Sequence, residues 1–291
     1  MGRVKDNHQF SENQAIVSVI IPCFNQGQFL EECIDSIKKS TYTNIEIIIV
    51  DDGSTDEESI NIFRTFPFEN CQLLQQVNQG PSIARNTAIN QSSGKYILPL
   101  DADDKIGIDY IQQAVQILES RAEIGIVYCD AEFFGLKEGK WILPDFDKDK
   151  ILTENLIFNC AMFRKSDFNM TVGYNPNMKA GWEDWDFWLS ILELKRKVYK
   201  ISSVQFYYRI RSLSRERSLT PEKVEELRKQ IVANHVELYS TSFPNPISIY
   251  FEKEGYKAYK DSFENIKYGI DYRIGKALLF PLRFLKKIAK K

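Results

Sequence analysis

Two periods of apolar residues alternate along the first half of the chain. Ile16-Val17-Ser18-Val19-Ile20-Ile21-Pro22 is a β-branched run closed by proline, the pattern of a buried strand. Phe29, Leu30, Cys33, Ile34 and Ile37 then recur at helical spacing and predict a helix from about Gln28 to Lys39. Ile45 to Val50 reads as a second strand, ending in Asp51-Asp52-Gly53-Ser54. Ser54 with Glu57 fits a capping box, so a helix is expected to begin there. Cys71–Gln75 is a short strand, Gln79-Gly80-Pro81-Ser82 turns into a helix through Ile83, Ala84, Ala88 and Ile89, and Lys95–Leu100 is again a strand. Ile106 to Leu118 reads as helix and Ile124–Cys129 as strand. Strands alternating with helices at this pitch predict βαβ units and a mainly parallel sheet.

Beyond about residue 130 the pattern loosens. Phe133 to Asp149 reads as a loop or hairpin and Cys160–Phe163 as strand-like. A helix is expected from Asp184 to Leu194, with Phe187, Trp188, Ile191 and Leu192 on one face. Val204 to Ile210 is β-like and aromatic, and Pro221 opens a long helix reaching Tyr239. The resulting division is a loose arm over 1–14, a first half over 15–130, a second half over 131–240 and a C-terminal extension over 241–291.

Composition narrows the function classes. The chain has 291 residues, 43% of them hydrophobic and 27% charged, the make-up of an ordinary globular protein. A net charge of −2 lacks the basic footprint that nucleic-acid binding needs. The mean hides an asymmetry: seven Lys/Arg and no acid fall in residues 272–291, which leaves −9 on the rest. Five cysteines without metal spacing read as reduced thiols of a cytosolic protein. The first residues lack the apolar core of a signal peptide, and no apolar run reaches the ~18 residues of a membrane span.

The candidate chemistry lies at strand ends. Tyr96-Ile97-Leu98-Pro99-Leu100-Asp101-Ala102-Asp103-Asp104 delivers closely spaced carboxylates to the end of an apolar run. In an α/β sheet the carboxyl ends of the strands are where ligands collect. Crowded carboxylates call for a cation, water or hydrogen-bond donors, and hard oxygen ligands suit Mg²⁺ or Mn²⁺ beside substrate phosphates. By itself D-x-D is also the composition of a solvated acidic turn.

Pro22-Cys23-Phe24-Asn25, Asp51-Asp52-Gly53-Ser54, Asn78 through Asn86 (N-Q-G-P-S-I-A-R-N) and Asp101-Ala102-Asp103 follow in order. With Gly181-Trp182-Glu183-Asp184-Trp185-Asp186-Phe187-Trp188, they resemble the family 2 glycosyltransferases over roughly residues 16–215. The resemblance implies the GT-A fold: a Rossmann-like mixed, mainly parallel sheet flanked by helices, here with a C-terminal helical extension. It also implies a nucleotide-sugar donor, a divalent Mn²⁺ or Mg²⁺, and inverting transfer to an acceptor hydroxyl with no enzyme nucleophile.

Carried onto these positions, the resemblance makes Asp103 the metal ligand, with Asp101 and Ala102 beside ribose or metal water. Asp51 would accept from the imide N–H of a uracil or thymine, in the pocket with Pro22 and Asn25. Asp52 and Ser54 read as turn and cap residues, and Asp104 as solvated or as a cap. Phe24 either stacks on the base or belongs to the core. Gly80 lets a backbone approach closely before a helix N-terminus that attracts anions. Arg85 either contacts the nucleotide or phosphate or makes a surface ion pair. Glu183-Asp184 would supply the base, with the role on Asp184, because the attacking hydroxyl must lose its proton. Flanking tryptophans would raise a carboxylate's pKa by desolvation. Trp182 is the acceptor contact, Trp185 and Trp188 are core, and Asp186 is solvated or supports its neighbour.

Some related enzymes complete the metal shell with a histidine after the Tyr-Arg segment. Here Arg211 stands where it would fall, and neither His8 nor His235 lies near a motif in sequence. Arg209, Arg211 and Arg215 form either a clamp on the diphosphate or a basic surface loop. After Pro281, apolar and basic residues segregate to opposite sides of a helical wheel. That segment suits either an anionic membrane, where lipid-linked saccharide acceptors lie, or packing on the catalytic domain. The alternative to an enzyme is a catalytically inactive sugar-nucleotide-binding scaffold. A nucleotidyltransferase would need a basic loop after the first strand, and a dinucleotide oxidoreductase a G-x-G-x-x-G; the chain has neither.

Overall fold

The computed structural model describes residues 14–65, 69–212 and 219–269. His8 and the arm before residue 14, Arg215, and the basic segment 272–291 lie outside the described residues. The chain divides into two compact units, Met1–Val236 and Glu237–Lys291.

The first unit is built on a mixed sheet. Its strands are β1 Val17–Cys23, β2 Ile45–Asp51, β3 Cys71–Gln75, β4 Tyr96–Pro99, β5 Lys105–Ile106, β6 Ile124–Gly135, β7 Gly139–Trp141, β8 Met162–Arg164 and β9 Lys197–Ile210. The spatial order is β3-β2-β1-β4-β8-β6-β9-β5, with β7 paired to β6. The β3-β2-β1-β4 run is parallel, as is the β6–β9 pair; β8, β5 and β7 run antiparallel to their neighbours. The chain builds outward from β1 through β2 to β3, then crosses back to place β4 on the other side of β1. Such a reversal leaves a crevice at the carboxyl ends of the two strands, the general ligand position of open α/β sheets.

Pro22 marks where that crevice opens. Every residue of β1 is buried, and proline in a central strand ordinarily removes a ladder hydrogen bond. Ile20 O accepts from Leu100 N on the β4 side, and Cys23 O accepts from Asp52 N on the β2 side. By alternation Pro22 faces β4, whose pairing with β1 stops at Ile20–Pro99. Leu100 still donates to Ile20 O, and with no N–H at residue 22 to answer it the ladder ends there.

The helices are α1 Leu30–Lys38, α2 Glu57–Thr65, α3 Pro81–Gln91, α4 Tyr110–Ser120, α5 Lys165–Phe168, α6 Glu183–Glu193 and α7 Pro221–Asn234, with 3₁₀ turns at Gly27–Phe29 and Lys150–Leu152. In α1 the buried face is Leu30, Cys33, Ile34 and Ile37, the spacing read from the sequence. α6 is buried nearly all round, which fits its run of Trp185, Phe187, Trp188, Leu189 and Ile191. The five cysteines are free, and Cys23, Cys33, Cys129 and Cys160 are buried as small apolar residues.

Local expectations are corrected at three points. Ile106 belongs to the two-residue β5, not to a helix, because it pairs with Phe206 and its N–H donates to Ser36 Oγ. α2 is capped by Asp56, whose Oδ1 accepts from Ser59 N at 2.8 Å; Ser54 Oγ instead accepts from Asn25 N at 3.0 Å. The helix opened by Pro221 ends at Asn234, since His235 leaves helical geometry at φ −125°, ψ 41°. α8 spans Val236–Ser242, starting at the last residue of the first unit, and α9 spans Pro246–Tyr268 in the second. No described side chain of α9 is buried, and no described helix is long and apolar enough to cross a membrane.

Candidate active site

One wall of the crevice is a loop held by its own carboxylates. Asp52 accepts from Gln76 Nε2, Gln79 N and Gly80 N at 2.7, 2.9 and 2.8 Å, so it ties the end of β2 to the turn before α3. Gly53 has φ +73°, and a Cβ there would meet Asn78 N at 2.7 Å, which reserves the position for glycine. Asp51 is buried, accepting from Ser54 N at 2.9 Å and Gln75 Nε2 at 3.3 Å. Asn25, at φ 54°, accepts from Thr55 N and Asp56 N through Oδ1 and so buttresses this loop. Phe24 stands 43% exposed, which removes it from the core. Open space surrounds Gly80 at φ +87°, and no side chain caps the α3 N-terminus that follows, leaving it approachable by an anion.

The opposite wall carries the acidic turn, where Ala102 is fully buried and the carboxylates point to separate partners. Asp101 Oδ1 accepts from Arg85 Nη2 at 2.7 Å and from Asn159 Nδ2 at 3.2 Å. Arg85 is 2% exposed, and its Nη1 reaches Glu183 Oε1 at 2.8 Å over the ring of Tyr174. It is an interior ion pair, not a surface one. Burial by itself would lower the guanidinium pKa, but Asp101 and Glu183 hold it above its ordinary value. Asp103 Oδ2 lies 2.7 Å from Arg211 Nε. Burial, the largest influence, pushes Asp103 up to about 6, and Asp101 adds to the rise while Arg211 opposes it. Asp104 is neither solvated nor a cap: it is buried, and its Oδ1 accepts from Arg209 N at 2.8 Å. Burial and then the neighbouring Asp103 and Asp101 hold it well above the usual carboxylate range.

Arg209 is an anchor for the end of β9. Its Nε donates to Asp103 O at 2.8 Å, its Nη2 pairs with Glu32, and its guanidinium lies over Phe134 and Phe29. Among the described residues no three His, Cys, Asp or Glu side chains gather as a metal cage. The donor set nonetheless fits Mg²⁺ or Mn²⁺, which take one or two carboxylates and leave the remaining positions to water and phosphate. Three carboxylates stand within four residues, and burial disfavours the charged form of two of them, a cost that a hard cation would offset.

The second carboxylate pair opens α6. Glu183 is buried against Arg85, whereas Asp184 is half-buried in the first turn. Asp184 Oδ2 accepts from Asn155 Nδ2 at 3.1 Å and Oδ1 from Trp185 N at 2.8 Å. Just before them Trp182 adopts φ +60°, a left-handed backbone that is strained for so large a residue. Its half-buried ring meets Trp185 edge-on at 5.4 Å. Trp185 and Trp188 are buried and donate Nε1–H to Ile151 O and Ile157 O.

Residues 18–170 match the model of glycosyl transferase family 2. The chain belongs to that family. GlyA, a glycosyltransferase of Streptococcus pneumoniae serotype 4, is 41% identical over 113 residues, covering 38% of this chain and 16% of GlyA. An uncharacterised glycosyltransferase of Rickettsia prowazekii is 31% identical over 211 residues, 69% of this chain and 64% of the relative. The chain thus spans less than two thirds of the length of either. Among solved structures, a TarS fragment from S. aureus is similar in fold, with a TM-score of 0.60 and 20% identity over 75% of this chain and 64% of that one.

Within this family 2 framework, several residues escaped the sequence reading. Asn155 and Asn159 sit in an irregular segment with no local pattern, and only the fold brings them to Asp184 and Asp101. Asn86 follows Arg85 in the quoted motif and had a signal; its amide exchanges two hydrogen bonds with the Tyr174 backbone, at 2.7 and 2.9 Å. His235 is distant from every motif in sequence but not in space. It is buried with Nε2 3.4 Å from Asp186 Oδ1 and Nδ1 3.3 Å from Glu193 Oε1. Asp186 is correspondingly buried, not solvated, and accepts from Asn234 Nδ2 at 2.5 Å.

Proposed function

We propose that the chain moves a sugar from a nucleoside diphosphate donor, UDP favoured, to a hydroxyl of a saccharide or lipid-linked saccharide, with inversion, in cell-surface polysaccharide or glycolipid synthesis. The observation that carries this reading is Arg85. One buried guanidinium holds Asp101 of the donor-side motif and Glu183 of the acceptor-side motif, so the two motifs face one crevice. Family membership supports sugar transfer. TarS has been solved with UDP and with UDP-GlcNAc, which supports a UDP-sugar here. A relative in Escherichia coli, 27% identical over 187 residues, is a chondroitin synthase.

In this reading Asp51 accepts from the base imide, exposed Phe24 stacks on the base, and Gly80 with the α3 N-terminus meets the diphosphate. Asp103 and Asp101 would hold Mn²⁺ or Mg²⁺, which when bound would offset charge on the leaving diphosphate. Asp184 takes the acceptor proton, with Asn155 fixing the carboxylate, and Glu183 positions the turn through Arg85. Trp182 forms the acceptor platform. The enzyme works on the cytoplasmic side, and peripheral membrane contact is assigned to residues 272–291 from sequence alone. Vesicle flotation that is unchanged without residues 272–291 overturns that assignment.

The central test is nucleoside diphosphate release from a panel of UDP- and dTDP-sugars with Mn²⁺ and saccharide acceptors, with product configuration read by NMR. Asp184→Asn is expected to lower the rate about 10²–10⁴-fold while UDP with Mn²⁺ still raises the melting temperature. An unchanged rate removes Asp184 as base. Stabilisation by UDP without turnover favours the inactive scaffold, and no stabilisation by any uridine or thymidine diphosphate removes the donor assignment.

A further inference from the structure

Asp103 already holds a cation of the chain's own. Arg211, just beyond the end of β9, sets Nε 2.7 Å from Asp103 Oδ2 and lies 5.7 Å from the Phe29 ring. The two partners differ in access: the Asp103 side chain is 11% exposed and that of Arg211 34%. Arg85, the guanidinium on neighbouring Asp101, is 2% exposed and grips a second carboxylate, so it has nowhere to go. The segment entering Arg211 is fixed independently, by Arg209 N on Asp104 and Arg209 Nε on Asp103 O. Arg211 can therefore change partner without β9 losing its place.

On the reading that Asp103 holds the divalent ion, we propose that Arg211 is the resident counter-cation of Asp103 and yields that carboxylate to the metal. Three crowded carboxylates in a low-dielectric turn need positive charge whether or not a metal is present. A guanidinium supplies it in the metal-free protein. A carboxylate so enclosed has little room for a second cation, and the guanidinium and the metal repel each other. Metal binding then has to displace a charge-assisted hydrogen bond, which weakens the ion's intrinsic affinity for the empty protein. The released guanidinium is left at the rim, where a diphosphate offers planar oxygen pairs that arginine grips well. Arginine and metal thus take turns at one side chain.

The test is Mn²⁺ binding to the full chain with no nucleotide, followed by loss of the free-ion EPR signal, with melting curves confirming that each variant is folded. Displacement predicts that Arg211→Gln binds Mn²⁺ about tenfold tighter than wild type, the equivalent of one charge-assisted hydrogen bond. Adding Asp103→Asn to that variant should abolish the gain. Equal or weaker binding by Arg211→Gln overturns the exchange; if wild type still binds Mn²⁺ through Asp103, the metal reading stands. If no variant binds Mn²⁺ with or without UDP, the metal reading falls and the exchange falls with it.

Discussion

Two arginines serve the same acidic turn and do opposite things with it. Arg85 is enclosed, reaches Asp101 and Glu183 at 2.7 and 2.8 Å, and carries the ring of Tyr174 against it. Arg211 meets Asp103 at 2.7 Å from a position one-third open to solvent. The contact distances are nearly equal, so distance alone does not separate a brace from an exchangeable partner. Burial does. A buried ion pair is held by the cost of leaving either charge unmatched, whereas a rim pair competes with water and with any arriving cation.

The comparison breaks most readily at Arg85. Arg85→Met leaves Glu183 buried without its cation and should cost about 3–5 kcal/mol of stability, read as a lower urea midpoint and loss of transfer. Arg85→Lys keeps the charge but not the two-pronged geometry, so stability should recover in part while transfer stays low. Arg211→Gln should cost less, about 1–2 kcal/mol, the worth of one charge-assisted hydrogen bond at the rim. Equal losses from the two arginines would remove the distinction.

His235 sharpens it with the smallest effect, as a buried cation that titrates. Burial, the largest influence, lowers its pKa, but Asp186 and Glu193 together raise it above the ordinary 6.5. The folded value exceeds the unfolded one, so its contribution is complete below pH 6.5 and is lost as pH rises through the folded value. Melting temperature should therefore fall from about pH 6.5 upward in the wild type, and Asp186 and Glu193 are the carboxylates responsible. In His235→Asn the slope should be flatter; an unchanged slope assigns the loss elsewhere.

The strands were legible in the sequence because buried parallel strands write continuous β-branched runs, as in β1 and β2, and their acidic ends follow directly. β5 was not, since two residues carry no period and its partner lies about a hundred residues away in the chain. The Asp56 cap was hidden because Ser54 with Glu57 offered a capping-box signature two residues earlier. In the candidate site, residue identities were readable and pairings were not. Arg85 could be placed beside a carboxylate, but that Glu183 would be its second partner required the fold to bring α3 and α6 together. Asn155 and His235 belong to segments whose local sequence is silent about what they touch.

The three-membered brace also constrains how this chain can vary. Arg85, Asp101 and Glu183 come from three separate stretches of sequence, yet one guanidinium serves both carboxylates. Loss of Arg85 alone would leave Glu183 as an unmatched charge in the interior. Replacement by apolar residues is open only if the positions change together. One side chain of the first half thus sets which charges the second half can keep buried.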